Sequence, residues 1–376
     1  MARIPTLTDG VVTLRAPRDD DVDASVEQCQ DPLTRRWTNV PVPYTRDDAR
    51  TYLRQVIPEG WDTEREWAFV VEATGETGTP QFGGTISLRN GGDGRAEIAF
   101  GAHPRVRGRG VMERALRLLL EWGFAERDLR TVIWLAHRGN WASRRLAWRL
   151  GFTVSGSLQS WLVQRGALVD AWVGTLLRGE EMGPRTPWLE SPTITGERVV
   201  LRRMRESDLP GIVETRSDAV TQRWLQRARD EAPHSLASHA RFLDAALEQA
   251  AAGEGVHWAI ADADSEAYLG QVSLFGVHPA REAELAYWAH PAARGRGTTL
   301  EAARLLVRHC FIEAEDGGLG LRRLTANAAA GNEASHRLLQ RIGFVRIGTE
   351  RSSTLLPDGT WVDAIRYDRL RDDLTR

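Results

Sequence analysis

Lysine is absent from this sequence of 376 residues, so all 49 of its basic side chains belong to arginine. The 51 acidic residues nearly balance them, and the formal net charge of −2 gives no reason to expect binding to nucleic acid or to a membrane surface. Without lysine, a phosphate-binding loop of the type G-x-x-x-x-G-K-[ST] is excluded.

Cysteine and long apolar runs are scarce as well. Cys29 and Cys310 are too few for a disulfide framework and lie in no metal-ligand cluster, so we expect a reducing, cytoplasmic setting and no bound metal. No stretch approaches the roughly 20 apolar residues of a membrane span. The first residues, MARIPTLTDG, lack the apolar core of a signal peptide, so we expect neither a membrane segment nor secretion.

What the sequence does contain is an internal repeat, which suits a length about right for two domains. HPRVRGRG, from His103, returns as HPAARGRG, from His290, and the same spacing joins Glu97 to Glu284. GNWASRRLAWRLGF and GNEASHRLLQRIGF also match, at a spacing about five residues longer, which predicts an insertion near residues 316–320 of the second copy. The join, MGPRTPWLESPT, is punctuated by glycine and proline. The predicted domains are residues 1–183 and 193–376, with a linker over 184–192.

Both copies show the same order of predicted elements. A short strand (11–15; 199–203) precedes helical stretches (46–56; 235–251), three strands (67–72, 82–88 and 96–101 in the first copy), a helix after RGRG, a strand (131–136; 323–327) and a last helix that ends at glycine. Met112, Ala115, Leu116 and Leu119 recur at the spacing of an amphipathic helix. Strands mixed with helices predict an α+β or α/β fold.

The RGRG turn is the strongest candidate site. Gly108 and Gly110, or Gly295 and Gly297, let the backbone approach a ligand, and the N–H groups of the following helix start would bind an anion such as a pyrophosphate. The alternative is a glycine-containing connection with solvated arginines, which an isolated RGRG would favour. Two copies in register favour the anion site. No G-x-G-x-x-G follows the first strand of either copy, which argues against a dinucleotide-binding fold.

The turn resembles motif A of the GNAT superfamily of acetyltransferases, Q/R-x-x-G-x-G/A. Arg105, Gly108 and Gly110 satisfy the motif, whereas the second copy has Ala292 at its first position. The later N-x-x-S segments, with the opening Leu-Arg strands and Asp170 and Asp363, are similar to the RimJ/RimL branch, which acetylates N-terminal amines, those of ribosomal proteins among others. The resemblance covers nearly the whole chain, once per copy.

This resemblance implies two tandem domains, each a mixed, mostly antiparallel twisted sheet flanked by helices, with acetyl-CoA as the co-substrate and no metal. The residues that it implies for coenzyme binding are Arg105, Val106, Arg107, Gly108, Arg109, Gly110, Val111 and Asn140 in the first copy, and Arg294, Gly295, Arg296, Gly297, Thr298 and Asn332 in the second. Asn140 and Asn332 are also typical helix N-caps, and that structural role is favoured.

The family mechanism is a direct attack of a free amine on the thioester. Glu97 and Glu284 are predicted to take the proton through water, and the alternative is a solvent-facing carboxylate paired with an arginine. Ser143 and Ser335 resemble the serine that protonates the leaving thiolate, and the alternative is an ordinary first-turn helix serine. Backbone N–H groups near residues 100–101 or 287–288 would stabilise the tetrahedral intermediate.

The acceptor and the working copy stay open. A peptide or protein N-terminus is favoured over a small amine such as an aminoglycoside or polyamine, because the acidic residues form no tight cluster beyond residues 19–21. A non-catalytic acetyl-CoA sensor and an enzyme for longer acyl chains are further alternatives. The first copy has the complete motif A, whereas the second has Tyr287 in place of Phe100 and so an extra hydroxyl near the site. The oligomeric state is not predicted.

Overall fold

The computed structural model describes residues 3–75, 78–224, 235–278 and 281–374. The chain divides into two compact units, residues 1–185 and 186–376, called copy one and copy two below, and each has its own buried apolar core. Part of the predicted linker 184–192 packs within copy two. Leu189 lies in its core, and the indole nitrogen of Trp258 donates to the Pro192 carbonyl over 2.9 Å.

Copy one has eight strands: β1 (Leu7–Thr8), β2 (Val12–Arg15), β3 (Glu66–Thr74), β4 (Pro80–Gly92), β5 (Arg95–Ala102), β6 (Thr131–His137), β7 (Thr153–Gln164) and β8 (Ala167–Leu177). Its helices are α1 (Asp21–Gln30), α2 (Pro32–Trp37), α3 (Arg46–Thr51), α4 (Ile57–Asp62), α5 (Val111–Glu126) and α6 (Trp141–Arg149). A π-helical segment, Tyr52–Val56, joins α3 to α4, and a 3₁₀ turn, Pro104–Val106, precedes α5.

Copy two repeats this order. Its strands are β9 (Ile194–Thr195), β10 (Val199–Arg202), β11 (Gly255–Asp262), β12 (Tyr268–His278), β13 (Glu282–Ala289), β14 (Arg323–Ala329), β15 (Val345–Leu355) and β16 (Trp361–Leu370). Its helices are α7 (Leu209–Ser217), α8 (Ala219–Trp224), α9 (Leu236–Ala252), α10 (Thr298–Phe311) and α11 (Glu333–Arg341). Short 3₁₀ turns are Glu206–Asp208, Pro291–Ala293, Ala314–Asp316 and Arg371–Leu374. The turn Ala314–Asp316 lies in the longer connection where the insertion was predicted.

Each copy is one mixed sheet of eight strands flanked by helices, which confirms the predicted fold class. The strand order in copy one is β1-β2-β3-β4-β5-β6-β8-β7, and copy two has the equivalent order. Among the pairs that the described residues form, β5–β6 and β13–β14 are parallel and the others are antiparallel. Met112, Ala115, Leu116 and Leu119 are all buried on the inner face of α5, as their spacing predicts.

The parallel strands at the centre of each sheet stay paired over only part of their length. In copy one the pairing ends at Ile98 with Trp134, although β5 continues to Ala102 and β6 to His137. In copy two it ends at Glu284 with Thr325. We call the unpaired stretches, residues 99–102 with 135–137 and 285–289 with 326–329, the strand opening of each copy.

A glycine bulge accompanies each opening. Gly84 has φ +133°, and a Cβ added there would lie 2.0 Å from the Gly101 carbonyl oxygen. Gly270 has φ +147° and equally little room, with the Trp288 carbonyl oxygen 2.4 Å from an added Cβ. The strand register shifts beside both glycines, between Val71 and Glu72 and between Ile260 and Ala261. Each bulge lies on the strand next to the opening, β4 or β12, and a bulge bends and twists the strand that carries it.

Candidate active site

The turn before α5 exposes backbone donors. Gly108 and Gly110 have φ +74° and +73°, a left-handed conformation that other residues adopt only with strain. Among the described residues, the N–H groups of Gly108, Gly110 and the first turn of α5, Val111–Glu113, have no acceptor. Nothing lies within 4 Å of a Cβ added to either glycine, so the space in front of them is open. The arrangement is a ready site for an anion.

Copy two has the same arrangement. Gly295 and Gly297 have φ +73° and +76°, and the N–H groups of Gly295, Gly297 and residues 298–300 have no acceptor in the described part of the chain. In both copies a histidine that precedes the turn caps it, because Nδ1 of His103 or His290 accepts from a backbone N–H at 3.3 Å. These histidines have a structural role here.

The middle arginine of each turn forms an internal ion pair. Arg107 donates to Asp31 over 2.7 Å and to Thr34 over 3.0 Å. Arg294 makes the same contacts with Asp218 and with Thr221, the latter over 2.7 Å. Hydrogen bonding to the guanidinium lowers the pKa of the Asp31 carboxyl, and in copy two it lowers the pKa of Asp218 to about 2. These arginines fix the turn against the start of α2 or α8.

The outer arginines differ in how much of their charge is already paired. Arg105 forms an ion pair with Glu27, and copy two has Ala292 in its place. Among the described residues, the hydrogen bonds of the Arg109 side chain go to carbonyl oxygens, those of Arg105 at 3.5 Å and Thr74 at 3.4 Å. Within the described residues, neither Arg109 nor Arg296 has an acidic partner at ion-pair distance. These two are therefore the arginines best able to reach an external phosphate.

Glu97 belongs to a charged row that crosses three strands of copy one. Its carboxylate accepts from Arg89 on β4 over 3.0 Å, and Arg89 reaches Glu66 on β3 at 3.4 Å. The side chain of Glu97 is 35% exposed, so water can reach it. The predicted alternative, pairing with an arginine, is therefore present in copy one.

Glu284 has neutral residues opposite it on the next two strands of the sheet. The residue opposite it on the neighbouring strand is Phe275, where copy one has Arg89, and the next strand contributes Gly255 where copy one has Glu66. Its carboxylate accepts a hydrogen bond from the amide of Asn327 on β14. The two predicted bases thus occupy equivalent positions in different electrostatic surroundings.

Ser143 and Ser335 lie in the first turns of α6 and α11. The predicted N-caps are confirmed, since Asn140 and Asn332 each accept from the N–H of that serine over 3.2 Å. The Ser143 hydroxyl accepts from the indole nitrogen of Trp134 over 3.0 Å. Because an indole only donates, the Ser143 proton stays free for another acceptor.

In copy two the serine hydroxyl has a different partner. The Ser335 hydroxyl lies 2.8 Å from the Tyr287 hydroxyl, and either can donate. Burial raises the pKa of Tyr287 to about 12, which keeps this phenol protonated. The extra hydroxyl predicted near the site is therefore in contact with the candidate serine.

The candidate base and the candidate acid lie on opposite faces of the sheet. Ile98 on β5 pairs with Trp134 on β6, so their side chains lie on the same face of the sheet, and Trp134 contacts Ser143 there. Glu97 precedes Ile98 in β5, and successive residues of a strand alternate, so Glu97 points to the other face. The structure does not bring Glu97 and Ser143 together directly. Only a ligand lying in the strand opening can be approached from both sides.

Some residues that border the opening were missed by sequence reasoning. His137 ends β6 on the face of Glu97, packs edge-on against Trp37 with ring centroids 6.3 Å apart, and is buried, which lowers its pKa. Gln28 is buried against Gly101. No motif contains these residues. The signal in the sequence that could have pointed to them is that copy two has different residues at the equivalent positions, Ala329 and Thr215.

Two kinds of feature are missing from the described residues. No helix there combines the length and apolar character needed to cross a membrane. No group of three or more His, Cys, Asp and Glu side chains there is arranged to hold a metal ion.

A repeated turn with free N–H donors beside a strand opening is the kind of site that suits a ligand carrying phosphate. The family model described as acetyltransferase (GNAT) domain matches residues 12–153 and again 198–345. These two matches cover well over half of the chain. The protein therefore belongs to the GNAT acetyltransferase family, with one domain in each copy, as the repeated motif A predicts.

Similar proteins carry related names. Bacillus subtilis YdaF, whose name includes the words ribosomal N-acetyltransferase, is 34% identical over 100 residues, 26% of this chain and 49% of YdaF. YjcK of the same organism, an N-acetyltransferase by name, is 32% identical over 112 residues, 29% of this chain and 59% of YjcK. The matched segments thus span about half the length of these relatives. The solved structure of Mycobacterium smegmatis RimJ with CoA-disulfide is 20% identical and covers 50% of this chain and 90% of its own, with a TM-score of 0.44.

Proposed function

We propose that this chain is an enzyme that transfers the acetyl group of acetyl-CoA to the N-terminal α-amine of a peptide or protein. One observation carries the proposal. A turn with free N–H donors adjoins a strand opening that has a carboxylate on one face and a serine hydroxyl on the other, and this combination occurs twice. A sensor that only binds the coenzyme needs the turn but has no use for the flanking groups.

The residues of the turn suit the pyrophosphate of the coenzyme. The N–H groups of Gly108, Gly110 and Val111 would hold phosphate oxygens in copy one, and those of Gly295, Gly297 and Thr298 would do so in copy two. Arg109 and Arg296, which lack acidic partners among the described residues, would add charge. Arg107 and Arg294 would contribute by holding the turn in shape.

The residues beside the opening suit amide formation. Glu97 or Glu284 would accept, through water, a proton from the attacking amine, which needs a neutral nitrogen. An α-amine has a pKa near 8 and a lysine side chain near 10.4, so an α-amine needs less help from a base. Backbone N–H groups on the unpaired ends of β5 or β13 would stabilise the carbonyl oxygen as it gains charge. Ser143 or Ser335 would donate a proton to the departing sulfur.

The peptide acceptor has two supports. The name of YdaF includes the words ribosomal N-acetyltransferase, which agrees with an acceptor of macromolecular size. In addition, the carboxylates of copy one that border the site are already paired, Glu97 with Arg89 and Glu27 with Arg105. A polycationic small amine would need unpaired acidic groups.

The test combines calorimetric titration with acetyl-CoA and a thiol-release assay on peptides and aminoglycosides. Two binding sites per chain, with thiol release on peptides, are expected. Release on aminoglycosides alone would replace the peptide acceptor with a small amine. Binding without release on any acceptor would favour a sensor, and absence of binding would reject the proposal.

A further inference from the structure

Gln28 occupies a position on α1 that an apolar residue would normally fill. The helix turns one stripe of side chains towards the sheet, with Val22, Ser25, Gln28 and Cys29 all buried. Gln28 is only 5% exposed, although its amide offers two donors and an acceptor. A glutamine in such a place requires hydrogen-bond partners.

The structure provides none for its side chain. The amide oxygen of Gln28 is buried without a partner, and none of the described residues accepts from its nitrogen. The nitrogen lies 2.7 Å from the position that a Cβ on Gly101 would occupy, so the glycine lets the amide approach this strand closely. The amide oxygen is therefore held against the sheet without a hydrogen-bond partner.

This amide lies at the strand opening, on the face of the candidate base. Gly101 belongs to the unpaired end of β5, beyond Ile98, where the pairing with β6 stops. Glu97 and Gly101 point to the same face because they are an even number of residues apart. The separation is four residues, about 13 Å along an extended strand. The Glu97 side chain and the water between it and the amine take up much of this distance, so an acceptor whose amine reaches that water would have its first peptide bond near Gln28.

Copy two is closed at the same place. Thr215 replaces Gln28, and its hydroxyl is satisfied by the Gly211 carbonyl at 2.7 Å. Trp288 replaces Gly101, and its indole nitrogen donates to the Tyr268 hydroxyl over 2.8 Å. Arg216 lies over the Trp288 ring at 5.5 Å and covers it further. No comparable unused amide occurs at this position in copy two.

We propose that Gln28 of copy one binds the first peptide bond of the acceptor, with its oxygen accepting the peptide N–H and its nitrogen donating to the peptide carbonyl. A primary amide carries the donor and acceptor that pair with those of a peptide unit. This inference rests on the proposed function and narrows it to acceptors that have a peptide bond next to the amine. Copy one is the copy that would bind the acceptor through this contact.

The experiment changes both sides of the proposed contact. Trialanine is compared with its analogue in which the first amide is an ester, which removes the peptide N–H and keeps the amine. Each is assayed with the full-length wild-type chain and with Gln28→Leu, which has a similar size and no polar group. Gln28→Met serves as a second variant if Gln28→Leu folds poorly. Thr215→Val, at the equivalent position of copy two, is the matched control.

For the wild type, we expect the ester to raise the acceptor KM about tenfold. In Gln28→Leu the KM for trialanine should rise by at least that factor, with no further effect of the ester, because the variant already lacks the hydrogen bond that the ester removes. Dissociation of acetyl-CoA should be unchanged, and the melting temperature equal or higher, since an unsatisfied buried group has been removed. Thr215→Val should leave the KM for both acceptors as in the wild type.

Two outcomes separate this inference from the proposed function. If the wild type acetylates trialanine but the ester and Gln28→Leu act independently, or neither changes the KM, the Gln28 contact is rejected and the enzyme assignment survives. If the wild type acetylates neither trialanine nor any longer peptide, the peptide acceptor fails, and the Gln28 contact fails with it.

Discussion

Copies one and two have the same backbone fold but differ in the side chains around the candidate base, on one face of the sheet. The turns match closely, with left-handed glycines whose φ angles agree within 3° and with the same arginine–aspartate contact. Around the candidate base, by contrast, Arg89 is replaced by Phe275 and Gly101 by Trp288. The part that can bind a coenzyme has been kept twice, whereas the part that would meet an acceptor has diverged.

The physical reason lies in which atoms do the binding. Phosphate is held by backbone N–H groups, which depend on main-chain conformation and tolerate changes of most side chains. Acceptor binding depends on side-chain volume and hydrogen bonds, so single substitutions alter it. Copy two has also gained a buried network, in which His257 contacts Ser273 at 2.8 Å and Gln249 at 2.7 Å, while copy one has Ala68 at the equivalent position.

The largest expected effect tests what the copies share. Gly108→Val should abolish coenzyme binding in copy one, and Gly295→Val in copy two, because a β-branched side chain at positive φ is strained and would fill the space before the donors. Calorimetry should then count one site instead of two. Gly166→Val is the matched control, since Gly166 has φ +82° and open space but lies in the β7–β8 hairpin. Unchanged stoichiometry in the turn variants would contradict the assignment.

The next largest effect should show which copy works. Glu97→Gln or Glu284→Gln should lower kcat by about 10²–10⁴-fold if that copy carries the reaction, as expected for loss of a general base. Glu66→Gln, which alters the same charged row without touching the opening, is the control for charge. Acetyl-CoA affinity should be unaffected. Full turnover in the double variant Glu97→Gln, Glu284→Gln would show that neither carboxylate is the base.

Acid should weaken copy two through a group that copy one lacks. Burial lowers the pKa of His257 to about 4, from an ordinary value near 6.5. Between these pH values the imidazole is protonated in the unfolded chain and neutral in the folded chain. The free energy of unfolding therefore falls as the pH drops from 6.5 to 4, by on the order of 3 kcal/mol. His257→Gln should remove that share of the pH dependence in denaturant titrations at pH 7 and pH 4. If the free energy of unfolding of His257→Gln depended on pH as strongly as that of the wild type, the prediction would be wrong. His336→Gln is the control.

The smallest expected effect concerns the serines. Tyr287→Phe gives copy two the residue of copy one and removes the partner of the Ser335 hydroxyl. With copy one silenced by Glu97→Gln, the remaining turnover should fall about fivefold, as expected for a lost hydrogen bond of about 1 kcal/mol. Phe100→Tyr in copy one is the reciprocal control and should not raise turnover, because the Ser143 hydroxyl already accepts from Trp134. A rise in turnover in either variant would reject the positioning role of Tyr287.

Local signals predicted the elements with strong periodicity or strong ends. The helix after each RGRG turn and the helices capped by Asn140 and Asn332 lie where they were expected. Gly151 and Gly343, predicted to end those helices, have φ +83° and +81°. Each of these features depends on residues close together in the chain, so the sequence contains the whole cause.

The hairpins β7–β8 and β15–β16 were not predicted. Their register shifts between Leu158 and Leu162, and again between Glu350 and Thr354, so the alternation of apolar and polar residues is interrupted. A contact across the hairpin supports each irregular stretch, since Asp170 accepts from the N–H of Ser160 and Asp363 from that of Ser352. The resemblance drew attention to these aspartates, but their structural role became visible only from the fold.

The sequence by itself determined the duplication, the family, the glycine turns and the helix caps, because each follows from a motif or from neighbours within a few residues. Only the tertiary structure decided which arginines are paired internally, that base and serine lie on opposite faces, and that Gln28 meets Gly101 at the strand opening. Those outcomes depend on contacts between residues up to 78 positions apart, such as Glu27 with Arg105, which close only when the sheet has formed.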